Sequence, residues 1–309
     1  MKIVIAGPGA IGLLFAAYLS KSKEDIWLLD KDNARAEKLN LEGISINGVS
    51  GAWQAKVRVC ANPNEIGSCD LLIVCVKSYD TKKLINYIRP LIDTNSSILT
   101  LQNGIGNMEL ISEVFNRQDI FVGVTSQGAN LLEVGKLSHA GFGDTVIGRI
   151  DSKLTSQLRE IRRIFNEVGI PTRLSRDIKG VLWSKLIINV GINSLAAITR
   201  LRNGQLLEFD GARQIMRQAV AEAVKIAKRK RIKLQFDDPL AKVEAVCLAT
   251  ANNTCSMLAD VLKKKHTEID FINGVIVRYA QGMGIPVPVN NFLVDLIKTI
   301  ESSYGLKID

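Results

Sequence analysis

The sequence predicts an α/β fold built on a doubly wound parallel sheet and followed by an all-α C-terminal domain. Three observations carry this. Short apolar runs alternate with helical patterns through the first half of the chain. A glycine-rich turn joins the first run to the first helix. Past residue 174 the two-residue alternation stops and long helical stretches replace it. Strands alternating with helices imply parallel pairing with right-handed crossovers, and 309 residues suffice for two domains. The expected division is 1–174 and 175–309.

Taken in order, Lys2–Ala6 reads as a strand, Ile11–Ser20 as a helix and Ile26–Leu29 as a second strand. An amphipathic segment at Ala34–Asn40 follows, then Gly43–Val49, whose Asn47-Gly48 pair is a turn signal. Cys69–Val76 is almost wholly apolar, the pattern of a central strand covered on both faces. Thr81–Ile92 reads as helix, and Ser97–Leu101, Ile120–Thr125, Gly135–His139 and Thr145–Gly148 as strands. Lys153–Val168 is an amphipathic helix. Beyond Gly169-Ile170-Pro171, helices are expected at Ile178–Thr199, Ala212–Lys230, Pro239–Lys265, Glu268–Gly282 and Asn291–Ser303.

Gly7-Pro8-Gly9-Ala10-Ile11-Gly12 is a G-x-G-x-x-G run between a strand and a helix. There the first glycine permits a tight turn, the second lets backbone approach a pyrophosphate, and the third lets helix and strand pack closely. The helix N-terminus then receives the anion on free N–H groups. This identifies a Rossmann-type dinucleotide site, with a purely structural turn as the alternative. Asp30, ending the second strand, suits the ribose hydroxyls of NAD(H). Lys31 beside it suits the 2′-phosphate of NADP(H). Local chemistry leaves the choice open.

Lys185, Asn189 and Asn193 fall at i, i+4 and i+8 on one face of an otherwise apolar helix. A solvated or internally satisfied polar ladder is one reading. A cleft wall for a substrate bearing a carbonyl and a carboxylate is the other. A second polar group comprises Asn253 and Ser256 and continues to His266 and Glu268; Glu268 alone reads as a surface or capping carboxylate. The basic run Lys225–Lys233 closes a helix, keeps its apolar periodicity and has no interleaved aromatics. It reads as a solvated helix end rather than a nucleic-acid surface.

Composition excludes several classes. At 47% hydrophobic and 23% charged residues the chain is not disordered. Its net charge of +9 favours anionic ligands without choosing among them. Five cysteines without C-x-x-C spacing read as reduced thiols, and two isolated histidines give no metal site. The uncharged stretch Ile3–Ser20 is broken by Pro8 and three glycines, so it reads as the dinucleotide loop rather than a signal peptide. No other stretch approaches the roughly 20 apolar residues of a membrane span. A cytoplasmic protein with no membrane or nucleic-acid partner is expected. The long apolar helices could bury a homodimer interface, and a monomer fits equally.

Together these motifs resemble the ketopantoate reductase (2-dehydropantoate 2-reductase) family along essentially the whole chain. The matching stretches are MKIVIAGPGAIG, LLIVCVKSYDT, LQNGIGN, LWSKLIINVGINSLAAIT, CSML and HTEIDFINGVIVRYAQGMGIPVPVN. The resemblance implies NADPH-dependent reduction of ketopantoate to pantoate, toward pantothenate and coenzyme A. It implies Lys185 as the catalytic residue, assisted by Glu268. Asn103, Asn189, Asn193, Asn253 and Ser256 fall where the family binds this 2-keto acid substrate. The glycine loop, Lys31, Lys77 and Asn103 fall where it contacts the cofactor, and Asp30 departs from the small residue common there, which admits NAD(H). A related reductase of another small 2-keto acid is the alternative. A dinucleotide-binding regulator without turnover is disfavoured by the intact Lys185 and Glu268.

Overall fold

The computed structural model describes residues 1–306. Two compact units divide the chain: Met1–Gln102 with Asn107–Ile178, and Asn103–Gly106 with the residues from Lys179 onward.

The first unit runs β1 (Lys2–Ala6), α1 (Ala10–Leu19), β2 (Asp25–Leu29), α2 (Asn33–Glu42), β3 (Ile44–Gly48), β4 (Trp53–Ala55) and β5 (Arg58–Cys60). It continues α3 (Pro63–Ile66), β6 (Leu71–Val74), α4 (Thr81–Tyr87), β7 (Ser97–Thr100), α5 (Asn107–Ser112) and β8 (Ile120–Thr125). Then follow β9 (Gly128–Glu133), β10 (Lys136–Gly141), β11 (Thr145–Gly148), α6 (Ser156–Glu167) and β12 (Thr172–Leu174). The main sheet has the order β12-β11-β8-β7-β6-β1-β2-β5. Every pair in it is parallel except β11 with β8. All four residues of β6 are buried, as a central strand covered on both faces requires.

A second sheet, β4-β3-β10-β9, packs against α1 and was not foreseen from the sequence. It explains the outcome at Asn47-Gly48. Both residues stay in β3, where Gly48 faces the β10 backbone so closely that a Cβ would lie 2.3 Å from the His139 carbonyl oxygen. The chain turns only after Gly48, and the Val49 N–H still donates to that same oxygen. Pairing with β10 thus outweighs local turn preference. The core between α1, α6 and the sheet includes an edge-to-face contact of Phe15 with Phe165 at 5.6 Å.

The second unit comprises α7 (Ile178–Thr199), α8 (Asp210–Arg229), α9 (Pro239–Ala249), α10 (Ser256–Leu262), α11 (Asn273–Gln281) and α12 (Pro288–Ser302). Its core is built from α7, α8, α11 and α12 side chains such as Ile187, Met216, Ile276 and Ile297. By length and composition α7 could span a membrane, contrary to the expectation that no further segment would. Most of it is buried within this core, which is why it is apolar on nearly every side.

Two helices expected in this unit are interrupted, as is the one expected over Thr81–Ile92, which ends at Tyr87 ahead of a 3₁₀ turn at Arg89–Leu91. The one expected over Pro239–Lys265 ends at Ala249 and resumes at Ser256. Residues 250–255 are instead held by the Asn203 and Gly204 N–H groups, which donate to the Asn253 and Ala251 carbonyls. Asn252, Asn253 and Thr254 in succession have little helical preference to resist this. The helix expected over Glu268–Gly282 begins only at Asn273, after a short 3₁₀ turn at Ile269–Phe271. Glu268 precedes that turn, and Ile272 (ψ −91°) breaks the path into α11. Asn253 and Ser256 therefore do not stack on one continuous helix with Glu268.

Candidate active site

In the first unit, Gly7 has φ +107°, and a Cβ there would lie 2.7 Å from the Val76 nitrogen. A Cβ on Gly12 would lie 2.0 Å from the Gly7 oxygen, so α1 reaches the strand only because this residue has no side chain. Gly9 is different, with no atom within 4 Å of its Cβ position, and it stands at the N-cap of α1. No side chain caps that helix. An open backbone approach above unprotected helical N–H groups is what a pyrophosphate requires, so these residues fit a dinucleotide.

Lys77 stands at the start of a 3₁₀ turn, Ser78–Asp80, after β6. A buried polar knot holds this turn. The Gln102 amide donates to the Val76 carbonyl (3.0 Å) and Thr81 Oγ1 (2.7 Å). Thr81 donates to Asn107 Oδ1 at 3.0 Å, and Asn107 donates to Ser78 Oγ at 3.0 Å. Sequence reasoning missed this knot; its only signal was the nearness of Ser78, Thr81, Gln102 and Asn107 to strand ends.

Asp30 and Lys31 are placed very differently. Asp30 is 1% exposed, and its carboxylate accepts from Arg35 Nε and Nη2 and from the Asp32 N–H. Arg35, in the first turn of α2, was not singled out from the sequence. The fork matches a carboxylate bidentately, and the Asp30 side chain is the first cause of the raised Arg35 pKa. Lys31 is exposed, 4.0 Å from the Asp80 carboxylate.

In the second unit, Lys185 donates to Asn103 Oδ1 at 2.8 Å. Burial lowers the lysine to about pKa 8, and the charge of Glu268 opposes that shift. Glu268 is itself buried. Three groups far apart in sequence thus meet, and backbone explains how. Ile105 N–H donates to the Phe271 carbonyl at 3.0 Å. Gly104, at φ +79°, allows this approach, since a Cβ there would lie 2.3 Å from that oxygen. Asn189 and Asn193 continue the α7 column toward its C-terminus, Asn189 half-buried and Asn193 buried. The Cys255 thiol contacts the Asn193 carbonyl at 3.6 Å, which sets the exposed Ser256 beside that end of the column. Asn253 is exposed in the 250–255 segment. His266 lies outside this group, its Nδ1 3.1 Å from Glu301. An ammonium, a carboxylate and several amides are the equipment for polarising a carbonyl and gripping a hydroxy acid.

All five cysteines are free thiols, and among the described residues no His, Cys, Asp and Glu group has metal-binding form.

Residues 3–152 match the family model Ketopantoate reductase PanE/ApbA, and residues 177–301 match Ketopantoate reductase PanE/ApbA C terminal. The chain is 35% identical over 306 residues to the 2-dehydropantoate 2-reductase of Pyrococcus horikoshii, covering 99% of both chains. It is 31% identical over 307 residues to that of Vibrio cholerae, again covering 99% of both. The crystal structure of a PanE/ApbA family ketopantoate reductase from Ralstonia eutropha superposes with a TM-score of 0.91 at 30% identity, covering 98% of this chain and 99% of that one. A ternary structure of D-mandelate dehydrogenase with NADH and anilino(oxo)acetate also gives 0.91, at 26% identity over 99% of this chain and 100% of that one. Family models matching both halves, with relatives above 30% identity end to end, establish that this chain belongs to the ketopantoate reductase family.

Proposed function

We propose that this protein is a 2-dehydropantoate 2-reductase, reducing ketopantoate to pantoate with NADPH in the route to pantothenate and coenzyme A. The observation that carries the reading is the Lys185 centre, a half-buried ammonium held by Asn103 and charge-compensated by Glu268. A nicotinamide cofactor, held by the glycine loop and Lys77, would supply the hydride for the keto carbon. Lys185 hydrogen-bonds the keto oxygen, stabilises the negative charge that develops there and donates its proton. A lysine near pKa 8 is mostly ammonium at neutral pH yet gives up its proton readily. Glu268 keeps the lysine charged between turnovers. Asn103 fixes the Nζ direction, while Asn189, Asn193, Asn253 and Ser256 hold the carboxylate and hydroxyl of the substrate.

The glycine loop and Lys77 bind the cofactor, and its preference is for NADPH. Asp30 is spent on Arg35 and the Asp32 N–H, so it has little capacity for ribose hydroxyls. Lys31 is exposed and suits a 2′-phosphate. The same reading assigns residues 1–174 to cofactor binding, 175–309 to substrate binding, and the protein to the cytoplasm.

A reductase of another 2-keto acid is the second reading, favoured by the likeness to D-mandelate dehydrogenase. NADPH and NADH oxidation should be compared with ketopantoate, pyruvate, 2-oxoisovalerate, oxaloacetate and benzoylformate. Ketopantoate with NADPH is expected to give the highest kcat/KM. Another acid ahead by orders of magnitude would replace the substrate, and no turnover of any would end the enzymatic reading.

A further inference from the structure

Beyond the groups that meet substrate, the helical unit contains a buried amide that neither the cofactor nor the substrate explains. Asn273, fully buried at the start of α11, donates through Nδ2 to the Val190 carbonyl of α7 (3.3 Å) and to Asn290 Oδ1 (3.0 Å). Its own Oδ1 is buried and has no hydrogen-bond partner among the described residues. A buried unmet acceptor is destabilising, because nothing in the fold replaces its lost hydration. An aliphatic side chain of similar size would avoid that cost, so packing alone does not account for the amide.

The bond to Val190 closes a ring. From Lys185, α7 runs five residues to Val190, a rise of roughly 7.5 Å. Asn273 grips the Val190 carbonyl, and two residues back along the chain Phe271 presents its carbonyl to the Ile105 N–H at 3.0 Å. Two residues before Ile105, Asn103 accepts from Lys185 Nζ at 2.8 Å and completes the circuit. Glu268 belongs to the same circuit, because the Phe271 N–H donates to its carbonyl at 3.0 Å. Behind the ring, Asn290 is anchored in turn. Its Nδ2 donates to the Ala219 carbonyl (3.0 Å) and to Glu222 Oε2 (2.8 Å), and Glu222 also accepts the Val289 and Asn290 N–H groups.

We propose that Asn273 is a positioning residue: by tying the 268–273 segment to α7 at Val190 it sets how Glu268 and Asn103 meet Lys185. The proposal rests on the reading of Lys185 as proton donor. Without the tie, the segment bearing Glu268 and the loop bearing Asn103 both lose their fixed distance from α7. A misplacement of about 1 Å costs on the order of a hundredfold in rate.

The test uses the full chain with Asn273→Leu, which keeps the branched shape and removes both donors, and Asn273→Ser, which keeps one donor. Asp238→Ala is the control for stability loss alone. It removes the α9 N-cap bond to the Ala241 N–H, and neither residue belongs to the ring. Two quantities are read: kcat against the KM for NADPH, and the titration midpoint of Lys185 by NMR of isotope-labelled lysine, assigned against Lys185→Ala. Asn273→Leu is expected to lower kcat at least about tenfold with the NADPH KM within about twofold, and to move the Lys185 midpoint. Asn273→Ser falls between Asn273→Leu and the unaltered protein, and Asp238→Ala lowers Tm with both quantities unchanged. A folded Asn273→Leu with unaltered kcat and midpoint overturns the proposal. If Asn273→Leu does not fold, Asn273→Ser decides, and an unaltered kcat and midpoint there overturn it equally. The NMR midpoint needs no turnover, so a moved midpoint in a chain that reduces no keto acid would overturn the proposed function and leave the positioning role standing.

Discussion

Raising the pH through 8 should switch off reduction by deprotonating Lys185. Burial holds this lysine near pKa 8, against an ordinary 10.5, and the charge of Glu268 limits the fall. With a midpoint at 8, roughly nine-tenths of the lysine is ammonium at pH 7 and roughly one-eleventh at pH 9, so kcat/KM should fall about tenfold across that interval. An unperturbed lysine would lose only about 3% over the same range. Glu268→Gln removes the charge that raises the lysine, so its falling limb should move below pH 8. Stability carries the opposite sign. Because the folded pKa lies below the unfolded one, the unfolded chain holds more protons between about 8 and 10.5, and this site's contribution to stability rises with pH through that window. Below pH 8 the whole cost is present, on the order of 3 kcal/mol. Lys185→Met should therefore unfold at higher denaturant concentration than the unaltered protein at pH 7, while being inactive. The assay is cofactor absorbance against pH at subsaturating keto acid, beside denaturant titrations of both proteins. A rate flat to about pH 9.5, or a Lys185→Met protein less stable at pH 7, would refute the reasoning.

The glycine loop and the Asp30 pair give two further expectations. Gly9→Ala has open space for its methyl, so Tm should stay unchanged while NADPH affinity drops; undiminished affinity would remove the loop from cofactor binding. Gly12→Ala would meet the Gly7 oxygen at 2.0 Å and should lower Tm as well as affinity, and an unchanged Tm would contradict that crowding. At the adenosine end, Arg35→Ala strands a carboxylate that is 1% exposed, at a cost of about 3 kcal/mol. Asp30→Asn leaves a partly solvated guanidinium and should cost less; denaturant midpoints in the reverse order would show that Arg35 does not neutralise Asp30.

The features read correctly from the sequence share a physical basis in local periodicity. The bounds of α7, the Lys185–Asn189–Asn193 column and the glycine turn all follow from spacing within a few residues. What escaped depended on partners distant in sequence. Asn47-Gly48 has turn chemistry, and its pairing with Ser138 and His139 keeps it in a strand. The 250–255 break is enforced by Asn203 and Gly204, some fifty residues earlier. Asp30 reads as a ribose ligand until Arg35 folds back onto it from α2. The meeting of Asn103, Lys185 and Glu268 needs Gly104 to approach the Phe271 carbonyl, a contact without any sequence period. For these residues the resemblance to a family supplied what spacing could not.

The most direct test of the account is a single-turnover measurement on Lys185→Ala with ketopantoate and saturating NADPH, beside the dissociation constant for NADPH. If Lys185 donates the proton to the keto oxygen, the reduction step should slow by at least about a hundredfold while the NADPH dissociation constant stays within about twofold. A reduction step that proceeds at the unaltered rate would contradict the central claim.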